Sequence, residues 1–378
     1  MLRFLQMIFL AFLSGPAESV AEVLVEERWR TQALNRSLGS FAGPWDDLNR
    51  ELLNGHPMLD SRFVDALLVH FGDGNEHLCQ LQCGGQMMGM CILKPGKPGR
   101  WSSFMPPQAQ VAPAILEKDA NLASLVPGLG SLVAQVDLLC QDPEFSPALP
   151  CDHLPARSMN HALTMSIALE GSFEDYWSSR PRSLRQSMRT RDNRLLRDQL
   201  PPRLAIREAP GDMAAAVARF GRLESAGWKG RAGTAVSADN PQGPFYTDLL
   251  ESFARTGQAV VYEYWLGERL AASQLAIASD RMLLLLKTTY DEDFATYSPG
   301  RLLLREVIRD GFSRLPGGQI EFYTNANPDQ LAWATGQRWI GHVSLYRNPA
   351  VEQVFAALHA TRRLALRLRE RGGGLRAS

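Results

Sequence analysis

The chain has 378 residues, 45% hydrophobic and 21% charged, with 40 basic and 40 acidic side chains. That length suits about two globular domains, each able to bury a core, and the balanced charge argues against a DNA-binding or membrane-surface protein. Five cysteines (Cys79, Cys83, Cys91, Cys140, Cys151) are too few and odd in number for a disulfide framework, and they suit a reducing, cytoplasmic setting.

The first stretch, "MLRFLQMIFLAFLSGPAESVA" (1–21), holds one arginine, an apolar run and Ser19-Val20-Ala21 as a cleavage site. It reads either as an export signal or as an upstream start or amphipathic first helix. It is too short to span a bilayer, and no later segment is apolar enough to do so. Residues 22–75 are predicted helical with loops, the clearest helix being "RFVDALLVHFG" up to Gly72. "HLCQLQCGGQMMGMCIL" (77–93) predicts a hairpin turning at Gly84-Gly85. A loop follows over 94–108, then mixed signals over 114–170, with "ALTMSIAL" (162–169) as a strand. The Pro-rich 141–158 suits a domain junction.

The second half is more regular. Helices are predicted over 173–200, 212–227 and 244–257, and a short strand over 203–209. Three strands follow, "AVVYEYWL", "LAASQLAIA" and "MLLLLKTTY", then a helix from Ser298, the strands "QIEFYT" and "HVSLYR", and a basic helix over 351–374. Helices against a mostly antiparallel sheet make the fold class α+β. The expected layout is a domain over 22–165, a second over 166–349 and a basic tail over 350–378. A hairpin-plus-helix pattern in both halves suggests two related domains.

Four stretches carry chemistry. In "DEDFATYSPGRLLLREVIRDGF" (291–312), Ser298 is placed to cap a helix and Pro299 suits its first position. Arg301 then falls in the first turn, where an acidic residue is the usual choice. It belongs there if an anion docks on the free N–H groups of that turn, from Gly300 to Leu302, with Ser298 beside them. Otherwise it pairs with a carboxylate such as Asp293. In "ESAGWKGRAGTA" (224–235), Glu224 is a candidate general base; alternatively it pairs with Lys229 while Trp228 plugs the core. "LLLLKTTYDED" (283–293) places Lys287, Tyr290 and Asp291 at a strand's mouth. The stretch 178–203 holds eight arginines and two aspartates, and would face RNA, an anionic polysaccharide, coenzyme phosphates or only solvent. His77, Cys79, Cys83 and Cys91 have loose zinc spacing but no matching second pair, so the cysteines read as buried small hydrophobes; no metal is assigned to them or to Cys151-Asp152-His153.

"ESAGWKGRAGTA", the three strands, "TTYDEDFATYSPGRLLL" and "IEFYTNANPDQLAW", in that order, resemble the GNAT superfamily of acyltransferases, and more narrowly its CelD-like, bacterial polysaccharide-associated branch. Fem-type transferases, which carry two GNAT-like domains in tandem, are similar to the whole. The likeness is specific over about 173–347 and only topological over 45–165. Glu224, Trp228, Lys229, Gly233, Tyr290, Ser298, Pro299, Gly300 and Trp333 match the pattern. Glu321-Phe322 and Asp329-Gln330 depart from its Asp-Phe and Tyr-Lys. The resemblance implies tandem domains, each a mostly antiparallel sheet flanked by helices. It also implies an acyl-CoA (acetyl-CoA) donor whose pyrophosphate sits at Ser298, Gly300, Arg301 and Leu302, and no metal. Glu224 would be the base, Tyr290 the acid for the leaving thiolate, and Trp228, Lys229, Lys287 and Asp291 would bind substrate. The acceptor would be an amine-bearing small molecule or polysaccharide precursor. Aminoacyl-tRNA is the alternative donor, and a non-catalytic binding protein the third reading.

Overall fold

The computed structural model describes residues 27–118, 120–146, 154–358 and 361. The leader, the Cys151-Asp152-His153 cluster and the basic tail beyond 361 lie outside them.

The elements of the first half are β1 (Glu27–Ala33), α1 (Ala42–Leu53), α2 (Ser61–Phe71), β2 (His77–Cys83), β3 (Gln86–Pro95), β4 (Arg100–Ser103), β5 (Ala114–Leu116), α3 (Leu125–Gly128) and β6 (Gln135–Gln141). The long strand β7 (Ala156–Ala168) leads into α4 (Phe173–Ser179), α5 (Arg182–Arg197), β8 (Pro202–Arg207), α6 (Pro210–Ala226), α7 (Trp228–Arg231) and α8 (Gln242–Ala254). Then come β9 (Ala259–Leu266), β10 (Arg269–Ala278), β11 (Met282–Tyr290), α9 (Pro299–Arg314), β12 (Gln319–Glu321), α10 (Pro328–Leu331) and β13 (Gly336–Tyr346).

All strands join one sheet, ordered β1-β2-β3-β4-β6-β13-β7-β12-β11-β10-β9-β8, with β5 beside β3. The order repeats inward from both edges. In each half four antiparallel strands are followed by one parallel neighbour: β4 beside β6 in the first, β11 beside β12 in the second. The two central strands cross over. The last strand, β13, lies against β6 of the first half, and β7 lies against β12 of the second. The halves therefore share hydrogen-bonded ladders along their seam.

Helices cover both faces of this sheet. On one, α1 and α2 meet α6 and α8, burying Trp45, Phe63, Phe220 and Phe253 against Leu284 and Leu286. On the other, α4, α5 and α9 bury Tyr176, Met188, Leu302 and Val307 against Tyr262 and Leu283. A third cluster around Trp29, Leu93, Val136 and Leu345 serves the first half. The Gly84-Gly85 turn forms as expected, both residues at positive φ (56° and 83°). Residues 27–33, expected within a helical region, are instead the edge strand β1, with Trp29 its one buried residue.

Candidate active site

The two parallel contacts end differently. β11 and β12 pair over Met282↔Gln319, Leu283↔Ile320 and Leu284↔Glu321. Beyond that β12 stops, while β11 runs on to Tyr290. The strands splay, and a cavity of about 490 Å³ opens between them. Its walls are Leu285 and Lys287 on β11, Phe322 and Tyr323 after β12, and Gly300, Arg301 and Leu304 on α9, with Asn327 and Gln330 around α10. Gln110, from the first half, and Met165, on β7, close the inner side. Where β4 parts from β6, the backbone N–H of Leu139 instead donates to Ser103 Oγ at 3.0 Å. Among the described residues the α-helix between those strands is the four-residue α3, against sixteen residues in α9. Among the described residues, only the second half has both an open splay and a long helix aimed at it.

A second cavity of about 260 Å³ continues outward, lined by Tyr290, Ala295, Ser298, Pro299, Gly300 and Arg301. Gly300 and Arg301 border both cavities, so one groove runs from the start of α9 into the splay. Ser298 takes a left-handed conformation (φ 52°, ψ 57°) and makes no side-chain cap, which corrects the expected capping role. Its carbonyl accepts from the N–H groups of Arg301 (3.0 Å) and Leu302 (3.2 Å). A Cβ on Gly300 would meet nothing nearer than Tyr290 Cδ1 at 3.8 Å, so the groove floor there is bare backbone. The Arg301 guanidinium lies 3.7 Å from Asp329; Asp293, the alternative partner, is taken by Arg269 at 2.9 Å. From α5, Arg194 donates to the carbonyl of Thr296 (2.8 Å). Burial, then the neighbouring Arg301 and Arg194, push Arg191 below the usual arginine value. The basic helix thus delivers two more cations to the outer end of the groove.

The other expected site residues are dispersed. Glu224 is buried; its Oε2 accepts from Val236 N–H (2.8 Å) and faces Lys287 Nζ at 3.2 Å. Lys287, which also donates to Gln242 Oε1 (3.1 Å), is the member of that pair that lines the groove. Asp291 caps the turn after β11 and accepts from Arg269 at 2.6 Å. Tyr290 is 43% exposed at the outer rim. Trp228 and Lys229 lie on α7, and their side chains are outside the described residues. Trp333 is buried beside the groove, its carbonyl accepting from Tyr176 Oη at 2.7 Å. Gln330 accepts from Asn327 N–H in a capping box that starts α10.

A polar network under the splay is not visible in the sequence, because its members come from four separate segments. Arg338 on β13 forks onto buried Asp142, with Nε to Oδ1 at 2.7 Å. It also reaches Glu321 Oε1 (2.8 Å) and Glu144 Oε2 (3.1 Å). Tyr323, strained at φ 43°, donates to Asp142 Oδ2 (2.7 Å), and His56 Nε2 lies 2.8 Å from the same hydroxyl. His56 Nδ1 accepts from Met58 N–H, so Nε2 carries the ring's proton; burial holds His56 down at about 4. One guanidinium cannot neutralise three carboxylates. Burial raises Glu321 to about 8, and its Oε2 is buried with no partner in the structure. Glu321 ends the paired part of β12, and the next two residues wall the groove.

Residues 182–328, which span the splay and α9, match the family model of the acetyltransferase (GNAT) domain. The chain is similar in fold to the crystal structure of FemX at 9% identity and a TM-score of 0.55, covering 86% of this chain and 99% of that one. It is also similar to the C-terminal domain of a putative lysylphosphatidylglycerol synthetase from Agrobacterium fabrum (11% identity, TM-score 0.51, 86% and 96% covered). A conserved protein of unknown function from Bacteroides thetaiotaomicron gives 8% identity and a TM-score of 0.52, with 84% and 99% covered. No curated protein matches by sequence. Residues 182–328 thus match an acetyltransferase (GNAT) domain, and the solved structures share the fold of the longer chain. No helix of the described residues is long and apolar enough to cross a membrane.

Proposed function

We propose that the chain transfers an acyl group from an acyl-CoA, acetyl-CoA in the simplest case, to an amine. The observation that carries this reading is the continuous groove from the start of α9 into the β11/β12 splay, flanked by Arg301, Arg191 and Arg194. Helix starts attract phosphates through backbone N–H groups and the dipole, and arginine adds charge-assisted bonds. The pyrophosphate would rest on Gly300 and Arg301 beside Ser298, with Leu302 as the packed residue beneath, and the acyl arm would thread the splay. The amine attacks the thioester carbonyl directly: a C–N bond forms, the C–S bond breaks, the thiolate is protonated, and the amine's proton passes to a base. Tyr290, packed by Gly300, fits the wall of the phosphate end better than the acid for the thiolate. Glu224 is already held by Lys287 and Val236, which leaves Glu321, with its unpartnered oxygen, as the preferred base.

The acceptor would enter from the first-half side, where Gln110 Oε1 is also buried without a partner in the structure. An orphaned acceptor atom on that wall suits a polar ligand bearing N–H or O–H groups. An amino sugar or another polysaccharide precursor, as in the CelD-like branch, meets that description.

Calorimetric titration with acetyl-CoA tests the donor site. Gly300→Ala should keep or slightly raise the melting temperature, since alanine is the better helix former, yet weaken binding about tenfold or more, roughly 1.4 kcal/mol. Arg301→Glu should weaken it further. Wild-type protein that binds no acyl-CoA would end this reading. Salt-sensitive binding of charged tRNA, lost on Arg185→Glu with Arg189→Glu, would replace it with transfer from aminoacyl-tRNA.

A further inference from the structure

Both ladders of β13 at the seam carry a bulge at one level. Between β13 and β6 the register jumps from Gly341↔Gln141 to Val343↔Leu138, so His342 faces Leu139 and Cys140 together. Between β13 and β7 it jumps from Ile340↔Ala162 to Gly341↔Asn160, leaving His161 without a ladder partner. Cys140 sits at φ 44°, unusual for a cysteine. Bulges re-aim side chains, and around these two the side chains of Cys140, His161 and His342 converge on one point. The Cys140 thiol and a ring nitrogen from each of His161 and His342 all lie within 4.8 Å of one another. The imidazoles stack with centroids 4.2 Å apart and planes at 29°. His342 Nδ1 accepts from the Cys140 backbone N–H at 3.0 Å, so its lone pair already points at that residue.

We propose that Cys140, His161 and His342 form a binding site for a thiophilic divalent cation, zinc in the first place. One thiolate and two imidazoles are a donor set zinc takes in tetrahedral sites, and three protein ligands leave the fourth position to water or a further ligand. Cys140 is buried and His161 exposed, so the site has a floor and an open side. On binding, the thiol proton is released to solvent as the sulfur–zinc bond forms. At His342 a bond to the metal replaces the hydrogen bond from Cys140. Because the thiol must give up its proton to bind the ion, affinity should rise with pH. The three ligands come from β6 of the first half, the connecting β7 and the terminal β13. None of them lines the groove, so the site would clamp the seam and stands apart from the transfer reading.

This donor set is invisible in one dimension, because its members stand at positions 140, 161 and 342. The cysteines that carry zinc-like spacing fold otherwise: Cys79 faces Cys91 across β2 and β3, both buried.

The test uses the full chain stripped with a chelator, then titrated with zinc by calorimetry and with cobalt(II) by absorption. The expected result is one equivalent of zinc, a thiolate-to-cobalt charge-transfer band and a higher melting temperature with metal, as any ligand selective for the folded state gives. Cys140→Ala should abolish the band. His161→Ala, at an exposed position that folding can spare, should lower affinity beyond the roughly 10- to 100-fold typical of losing a supporting partner. Absence of stoichiometric binding would overturn the proposal, as would binding that both variants leave unchanged, which would place the ion elsewhere. Copper binding without zinc binding would overturn the choice of ion.

Discussion

Arg338→Met is expected to destabilise the protein by about 3–5 kcal/mol, the usual cost of stranding a buried charge. A chain with a total stability of roughly 5–15 kcal/mol would lose a large part of it. Among the described residues Arg338 is the cation bonded to Asp142 and Glu321, both 0% exposed, and it also meets Glu144. Removing it leaves a buried aspartate held by Tyr323 alone among these side chains, under a strained backbone. The damage should extend past the local pocket. Asp142 comes just after β6 in the first half, while Glu321, Tyr323 and Arg338 belong to the second, so the network fastens the two together. Chemical denaturation should show an earlier midpoint, and adding Asp142→Asn to Arg338→Met should recover most of the loss by removing the stranded charge. A loss below about 1 kcal/mol, the scale of exposed pairs, would mean that water reaches the network.

How much of this is legible in the sequence depends on how local each feature is. The second half's strands and α9 are legible because each carries its own signal: β9, β10 and β11 are buried on both faces and read as apolar runs. Pro299-Gly300 marks the start of α9. β1 is not legible, since its "ERWRTQA" buries only Trp29 and shows no alternation. β12 shrinks to Gln319–Glu321 because the chain must leave the ladder to open the groove. The Arg301 partner is misplaced in the sequence for a related reason: α10, which brings Asp329 across the groove, is a four-residue turn with too little periodicity to notice. Gln330, where the sequence departs from the family pattern, uses its side chain to start that same turn. The network and the Cys–His cluster are out of reach altogether, because strand order alone brings their residues together, and the exchange of β7 and β13 at the seam is a tertiary fact.

Glu321→Gln carries the second large expectation. If Glu321 takes the amine's proton, the variant should lose about 10²- to 10⁴-fold in kcat, the range of general-base catalysis, with acetyl-CoA binding unchanged. The substitution is close to isosteric, and at neutral pH the wild-type group already holds its proton, since burial raises it to about 8. Stability should therefore change little near pH 7, unlike in Arg338→Met, so lost turnover could not be blamed on unfolding. The pH dependence supplies two further readouts with opposite signs. Turnover of the wild type should climb as pH rises through about 8, where Glu321 becomes the competent base, and the variant's residual rate should lack that rise. Stability should move the other way. The folded protein keeps this proton up to about 8, while the unfolded chain releases it near the ordinary 4.5. The folded state thus binds more protons between those values, and the stabilisation present below 4.5 is lost as pH rises toward 8. That slope should be missing from Glu321→Gln. A variant with full turnover but a flattened stability profile would leave Glu321 as a buried neutral acid of the seam, and would return the search for the base to Glu224 and the Lys287 that holds it.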